Sequence, residues 1–162
     1  MVSCVFPGSF DPVTKGHLDL ISRASRMFDQ VTVTVMNNIR KKGSIPVEKR
    51  IQMLRRVCAA FPNVSVDKWD GLLAEYMNRN NETIVLRGIR GNSELDQELQ
   101  SWGANRMLNS NIETVFIPCN PLMNGISSSA VKEVASFSGD IRPFVPDELA
   151  EEILDLLSKK IK

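Results

Sequence analysis

VSCVFPGSFDPVTKGHLDL, residues 2–20, is the stretch on which the fold turns. Val2 to Phe6 form a short apolar run with β-branched members. Closed by Pro7 and Gly8, such a run reads as a buried strand. PGSFDP is turn chemistry. A helix then begins near Thr14 to Gly16. His17, Ile21, Ala24 and Phe28 follow at steps of four, three and four, so they share one helical face. The loop between strand and helix lies where free N–H groups and the helix dipole attract anions. The chain holds one histidine, and it stands in that first helical turn. Two readings compete for His17: a satisfied member of the core stripe, and a donor to a phosphate.

The pattern of strand and helix recurs. VTVTVM (31–36), VSVDKW (64–69), TIVLR (83–87) and ETVFI (113–117) are further apolar, β-branched runs. Between and after them come helical stripes: Val47, Ile51, Leu54, Cys58 and Phe61, then Leu95, Leu99 and Trp102, then Leu149, Ile153 and Leu156. Alternation of this kind predicts an α/β protein with a five-stranded parallel sheet, doubly wound, in a single domain over residues 1–162. Pro118 to Pro121 and Pro143 to Pro146 read as turns within it. Ligands of open α/β sheets bind beyond the carboxyl ends of the strands, where the strand order reverses. The loops at those ends are PGSFD, NNIRKK, RGIRGN and PCNPLMNGISSS, all rich in residue types that bind phosphate.

Composition narrows the partners. At 162 residues, 43% hydrophobic and 24% charged, the chain has the make-up of a soluble globular protein. Its net charge of +1 provides no overall field for nucleic acid or a membrane. Between Arg40 and Arg56, however, seven basic residues face one acid, Glu48. That is either a pull on anions or a solvated helix face. Cys4, Cys58 and Cys119 are odd in number and far apart, which suits reduced thiols in the cytoplasm. One histidine leaves little from which to build a metal cage. No signal peptide or membrane span is expected.

Thr14-Lys15-Gly16-His17 resembles the T/HxGH signature of the nucleotidyltransferase superfamily, and ISSSAVK (126–132) resembles its second, serine-rich signature. With RGIR at 87–90 and NNIRKK after the second strand, the whole chain resembles the bacterial phosphopantetheine adenylyltransferases. That resemblance implies a Rossmann-like fold and a cytoplasmic enzyme, typically a homohexamer. It implies ATP and 4′-phosphopantetheine as partners, dephospho-coenzyme A and pyrophosphate as products, and Mg²⁺ held mainly by substrate phosphates. It also implies roles. His17 contacts the ATP α-phosphate, and Lys41 holds the acceptor phosphate. Arg90 and Ser128 join them as catalytic contacts to the phosphates. Ser9, Phe10, Gly88, Ile89, Glu98, Met123, Asn124, Gly125, Ile126, Ser127 and Ser129 complete the ATP site. Ser9, Leu73 and Arg87 face the acceptor. Ser9 stands for a more usual threonine, Leu73 for a methionine, and Gln97 and Met123 lie where aromatic residues occur.

The chemistry agrees with these residue types. A phosphate monoester has a second pKa of about 6, so the acceptor is already an anion and no general base is required. Two polyanions must be brought into line, which calls for cations, helix N-termini and a metal ion. Arg87, ending an apolar strand, needs an anionic partner, whether ligand or nearby carboxylate. Ser127 to Ser129 offer an N-cap and an anion site together. Gly88 and Gly91 are expected to keep the backbone close to a ligand. Three rivals remain: the same transfer to another phosphate acceptor, a receiver-type module, and a nucleotide sensor that binds ATP without turnover. The loop PCNPLMNG lacks the lysine that a receiver needs after its fifth strand.

Overall fold

The computed structural model describes residues 1–37 and 43–158. Five strands form one parallel sheet: β1 (Ser3–Gly8), β2 (Gln30–Met36), β3 (Val64–Trp69), β4 (Ile84–Ile89) and β5 (Glu113–Pro118). The helices among the described residues are α1 (Lys15–Met27), α2 (Val47–Cys58), α3 (Leu73–Arg79), α4 (Asn92–Leu108), α5 (Ser128–Ser136) and α6 (Ala150–Ser158). Strand order is β3-β2-β1-β4-β5. The chain builds outward from β1 in one direction and restarts beyond it at β4. The order therefore reverses between β1 and β4, and a crevice opens at their carboxyl ends.

Period-two alternation divides the sheet into two faces. Cys4 and Phe6 of β1 and Leu86 of β4 turn toward a core built with Leu20, Ile21 and Ala24 of α1, Met53 and Leu54 of α2, Val131 and Ala135 of α5, and Ile153 and Leu157 of α6. Val5 and Val85 turn the other way, onto Ala74, Tyr76 and Met77 of α3. Helices thus cover both faces, and the doubly wound α/β arrangement expected from the alternation is what the chain forms. α3 spans only seven residues, too few for its own stripe to stand out in the sequence. Burial pushes the pKa of Cys4 up to about 12, with Glu82 adding to it, and burial alone pushes Cys58 up to about 11. All three cysteines are free thiols.

One expectation needs correction, and another is narrowed. The stripe Leu95, Leu99 and Trp102 lies on α4, but no residue of this seventeen-residue helix is buried. Leu99 is 43% exposed, and Met107 and Leu108 are exposed at the end of the helix. Helical spacing alone does not supply a surface for a stripe to pack on. Of the basic run, Arg40, Lys41 and Lys42 lie outside the described residues, and three of the other four, Lys49, Arg50 and Arg56, brace the fold. Arg56 and Lys49 pair with Glu152 of α6 at 2.6 and 3.7 Å, and Arg50 is buried. These three cations tie α2 to its neighbours.

Gly88 illustrates how tightly the crevice is packed. A Cβ there would clash with Leu20 Cδ1 and lie 3.1 Å from Cys119 Sγ, so an added methyl forces the packed Leu20 side chain to shift. At Gly91 an added Cβ would meet nothing within 4 Å, so no close approach demands that glycine. Gly88→Ala is expected to cost about 1–3 kcal/mol, as overpacked cores do. Denaturant melts measure this, and the loss should shrink in a Leu20→Val background, where the offending methyl is gone. An unchanged midpoint in the wild-type background would contradict the packing.

Candidate active site

Thr14 caps α1. Its Oγ1 accepts the His17 backbone N–H at 3.3 Å, and its own backbone N–H donates to His17 Nδ1 at 3.1 Å. This is a capping box with histidine in the place usually taken by glutamate or glutamine. The Thr14 hydroxyl also lies 3.1 Å from Nδ1. Because a backbone N–H can only donate, Nδ1 must accept, and the ring proton resides on Nε2. Phe10 meets the imidazole edge-on at 4.9 Å between ring centroids, and Phe6 lies at 6.4 Å. Burial lowers the imidazole pKa from 6.5 to about 4, with the Arg90 and Arg87 charges adding to the effect. At neutral pH the ring is therefore an uncharged donor through Nε2. Ile21 and Ala24 on the same helical face are fully buried, whereas His17 is half-buried and lines a cavity. The face runs from core to cavity, and the histidine occupies its cavity end.

That cavity, of about 350 Å³, fills the crevice between β1 and β4. Ser9, Phe10, His17, Gly88, Arg90 and Glu98 line it, as do Met123 and Ile126 to Ser129. A second cavity of about 350 Å³ adjoins it and contains Ser9, Leu73 and Arg87, the described members of the expected acceptor set. Pro7, Gly8, Ser9, Arg87 and Glu98 line both. Ile89, Asn124 and Gly125 line neither: the Ile89 carbonyl accepts from Cys119 N–H at 2.8 Å, and Asn124 and Gly125 are exposed. Lys41 lies outside the described residues.

The two arginines are held in place by carboxylates. Arg87 donates to Glu98 through Nε at 2.7 Å and again through Nη2, and to the Pro7 carbonyl at 2.8 Å. The strand-end cation therefore has a nearby carboxylate partner, one of the two alternatives open in the sequence. Glu98 stands between the cavities and bonds to Arg87. Arg90 donates through Nε to Glu94 at 2.8 Å and through Nη1 to the Ile126 carbonyl at 2.9 Å, bridging the loop after β4 to the loop before α5. Burial opposes ionisation of Glu94, but its hydrogen bonds with Arg90 and the Arg87 charge outweigh that and hold its carboxyl below the usual range. Glu94 was not singled out in the sequence, although its position four residues after Arg90 was a usable signal. Ser127 is the N-cap of α5, accepting from Ala130 N–H at 3.0 Å, and Ser128 Oγ donates to the Pro12 carbonyl at 2.7 Å. The first N–H groups of α5 have no partner within the helix. Thr14, Gln97 and Cys119 also line the first cavity.

Similarity to known proteins identifies the family. The Cytidylyltransferase-like family model matches residues 5–134. A phosphopantetheine adenylyltransferase of Clostridium perfringens is 44% identical over 149 residues, 92% of this chain and 91% of that protein. The Deinococcus radiodurans phosphopantetheine adenylyltransferase is 46% identical, covering 90% and 87%. The chain belongs to the phosphopantetheine adenylyltransferase family. Among solved structures, the Plasmodium falciparum nicotinic acid mononucleotide adenylyltransferase complexed with NaAD superposes with a TM-score of 0.64 over 98% of this chain and 95% of that one. At 16% identity this likeness concerns the fold. No helix among the described residues is long and apolar enough to cross a membrane.

The neutral histidine couples stability to pH. Between about pH 4 and 6.5 the unfolded chain binds a proton at His17 that the folded chain does not, so stability falls as pH drops through that window. His17→Gln retains an acceptor for the Thr14 N–H and has nothing to titrate. Urea melts at pH 4.5 and 7 are expected to show a smaller pH-dependent loss for His17→Gln than for wild type. An equal loss would mean that the imidazole is solvated like a free one.

Proposed function

We propose that the chain transfers the adenylyl group of ATP to 4′-phosphopantetheine, giving dephospho-coenzyme A and pyrophosphate. One observation carries the reading beyond family membership. Two adjoining cavities meet at Ser9 and Arg87, and the first presents the His17 ring together with the start of α5. ATP takes the first cavity and the acceptor the second, so their phosphates meet at the shared wall.

The reaction is a substitution at phosphorus. An acceptor phosphate oxygen attacks the ATP α-phosphorus, the bond from that phosphorus to the bridging oxygen breaks, and pyrophosphate leaves with the electron pair. The nucleophile enters as an anion and needs no protein base. His17 donates from Nε2 to an α-phosphate oxygen, where charge builds in the transition state. Arg90 commits three of its five N–H groups to Glu94 and Ile126 and keeps the others for phosphate. Arg87 and Lys41 receive the acceptor phosphate. The free N–H groups of Ser128 and Ser129 hold the β- and γ-phosphates. Pairing the arginines with Glu98 and Glu94 fixes their position before substrate arrives, so little ordering remains to be done on binding.

The nucleotidyltransferase family generally uses a divalent cation, and Mg²⁺ is the cation assigned here. The residues fit an ion carried by the triphosphate. Glu94 and Glu98 are each held by an arginine, and no group of three or more His, Cys, Asp or Glu suited to a metal occurs among the described residues. When bound, Mg²⁺ would neutralise part of the triphosphate charge. The residues at the α5 start would hold the phosphates that bear it.

The chain acts as one adenylyltransferase domain over 1–162, in the cytoplasm, where its three free thiols suit a reducing environment. It assembles as a homo-oligomer, a hexamer by family resemblance. No residue of α4 is buried, and its exposed Leu99, Met107 and Leu108 support assembly. Leu99→Asp with Met107→Asp is expected to lower the mass measured by light scattering on a sizing column. A wild-type protein that already elutes as a monomer would contradict the assembly.

Pyrophosphate release with ATP, Mg²⁺ and phosphopantetheine tests the reaction itself, with nicotinamide mononucleotide as the competing acceptor. His17→Ala is expected to lower kcat by about 10²–10³ with its far-ultraviolet spectrum unchanged. Equal turnover with nicotinamide mononucleotide would overturn the choice of acceptor. Unchanged turnover in His17→Ala would overturn the role of the imidazole.

A further inference from the structure

Phe10 is a non-glycine residue with a φ of 47°, in the left-handed region, and its ring is 1% exposed. Bulky residues adopt that backbone only where their surroundings enforce it. Both neighbouring residues are held. On one side, the Ser9 carbonyl accepts from Arg50 Nη1 at 2.7 Å. On the other, the Asp11 carboxylate accepts the backbone N–H groups of Ser44 and Ile45, each at 2.7 Å. Arg50 closes the circuit by donating from Nε to the Ile45 carbonyl at 3.0 Å. Arg50 and Asp11 are 5% and 7% exposed, so these bonds form largely out of water. The ring secured in this way is the one that meets His17 edge-on.

We infer that Arg50 and Asp11 are positioning residues for adenylyl transfer: they clamp residues 44–45 to the first loop, fix Phe10 in its left-handed conformation, and so set the His17 imidazole. The inference rests on the catalytic role proposed above for His17. A guanidinium is needed because its planar fork reaches two carbonyls at once, which a lysine ammonium on a flexible stem does not reproduce. Arg50 and Asp11 line neither cavity, and the clamp reaches the expected ligand contacts only at Ser9 and Phe10. It acts through the carbonyl of Ser9 and the ring of Phe10.

Arg50→Lys tests this, with Asp11→Asn as the second variant, because the asparagine amide nitrogen cannot accept the second backbone N–H. The expected result for either is a kcat lower by about 10- to 100-fold, with the dissociation constant for ATP, measured calorimetrically, within about threefold of wild type. In a His17→Ala background, Arg50→Lys is expected to lower kcat by less than about threefold more, because residues acting through one group are not additive. The chain has a single histidine, so ¹⁵N spectra of the imidazole give an arm independent of turnover. Wild type is expected to show the Nε2–H tautomer, and Arg50→Lys a mixture or an exchange-broadened ring. Fully additive losses would overturn the inference. So would a variant with a lower melting temperature but wild-type kcat and ring spectrum, since that describes a brace with no bearing on His17. If wild type transfers nothing to phosphopantetheine, the functional reading fails, and the ring spectrum still decides whether the clamp sets the imidazole.

Discussion

The hydrogen bond from the Thr14 backbone N–H to His17 Nδ1 is the contact on which the site depends. It serves a structural and a chemical purpose together. Structurally, it satisfies an orphan donor at the start of α1, which any helix must do. Chemically, it assigns the ring proton to Nε2 and orients the only imidazole in the chain. Removing the acceptor would expose a helix start, and moving the ring would misplace the donor. The lowered pKa follows from the same arrangement: a ring packed against Phe10 and facing two guanidinium groups resists taking on charge. A neutral donor suits a site whose cations are arginines, since it stabilises developing charge without competing for their carboxylates.

The sheet places this contact where it can be used. Reversal of strand order between β1 and β4 brings the loop before α1, the RGIR segment and the loop before α5 around one crevice. Arg87, paired with Glu98, forms a wall common to both cavities, and Arg90 links two of the loops. Positive charge is thereby held close to where phosphates would meet, but each guanidinium already has an anion beside it. The site avoids the cost of burying bare cations and keeps donors in reserve for substrate. Gly88 permits this closeness by letting Leu20 and Cys119 approach the strand.

Much of this was legible in the sequence because the relevant signals are local. Alternating apolar runs placed all five strands to within two residues, and TKGH announced both a helix start and its histidine. Three features were hidden, each for a physical reason. Arg50 sits in a run of basic residues that has the pattern of a solvated face, and only tertiary contacts show that it turns inward to carbonyls forty-one residues away at Ser9 and nearby at Ile45. Leu95, Leu99 and Trp102 repeat at helical spacing, but spacing does not reveal whether another surface lies opposite. The Arg87–Glu98 pair joins two residues that the family resemblance assigns to different ligands, and the bond between them depends on how α4 leans over β4.

The most direct test of the central claim is a crystal structure with a non-hydrolysable ATP analogue. The account predicts the triphosphate in the crevice between β1 and β4, with His17 Nε2 within hydrogen-bond distance of an α-phosphate oxygen and Nδ1 still bound to the Thr14 N–H. A triphosphate lying elsewhere, or an imidazole that turns Nδ1 to the phosphate and abandons the cap, would contradict it.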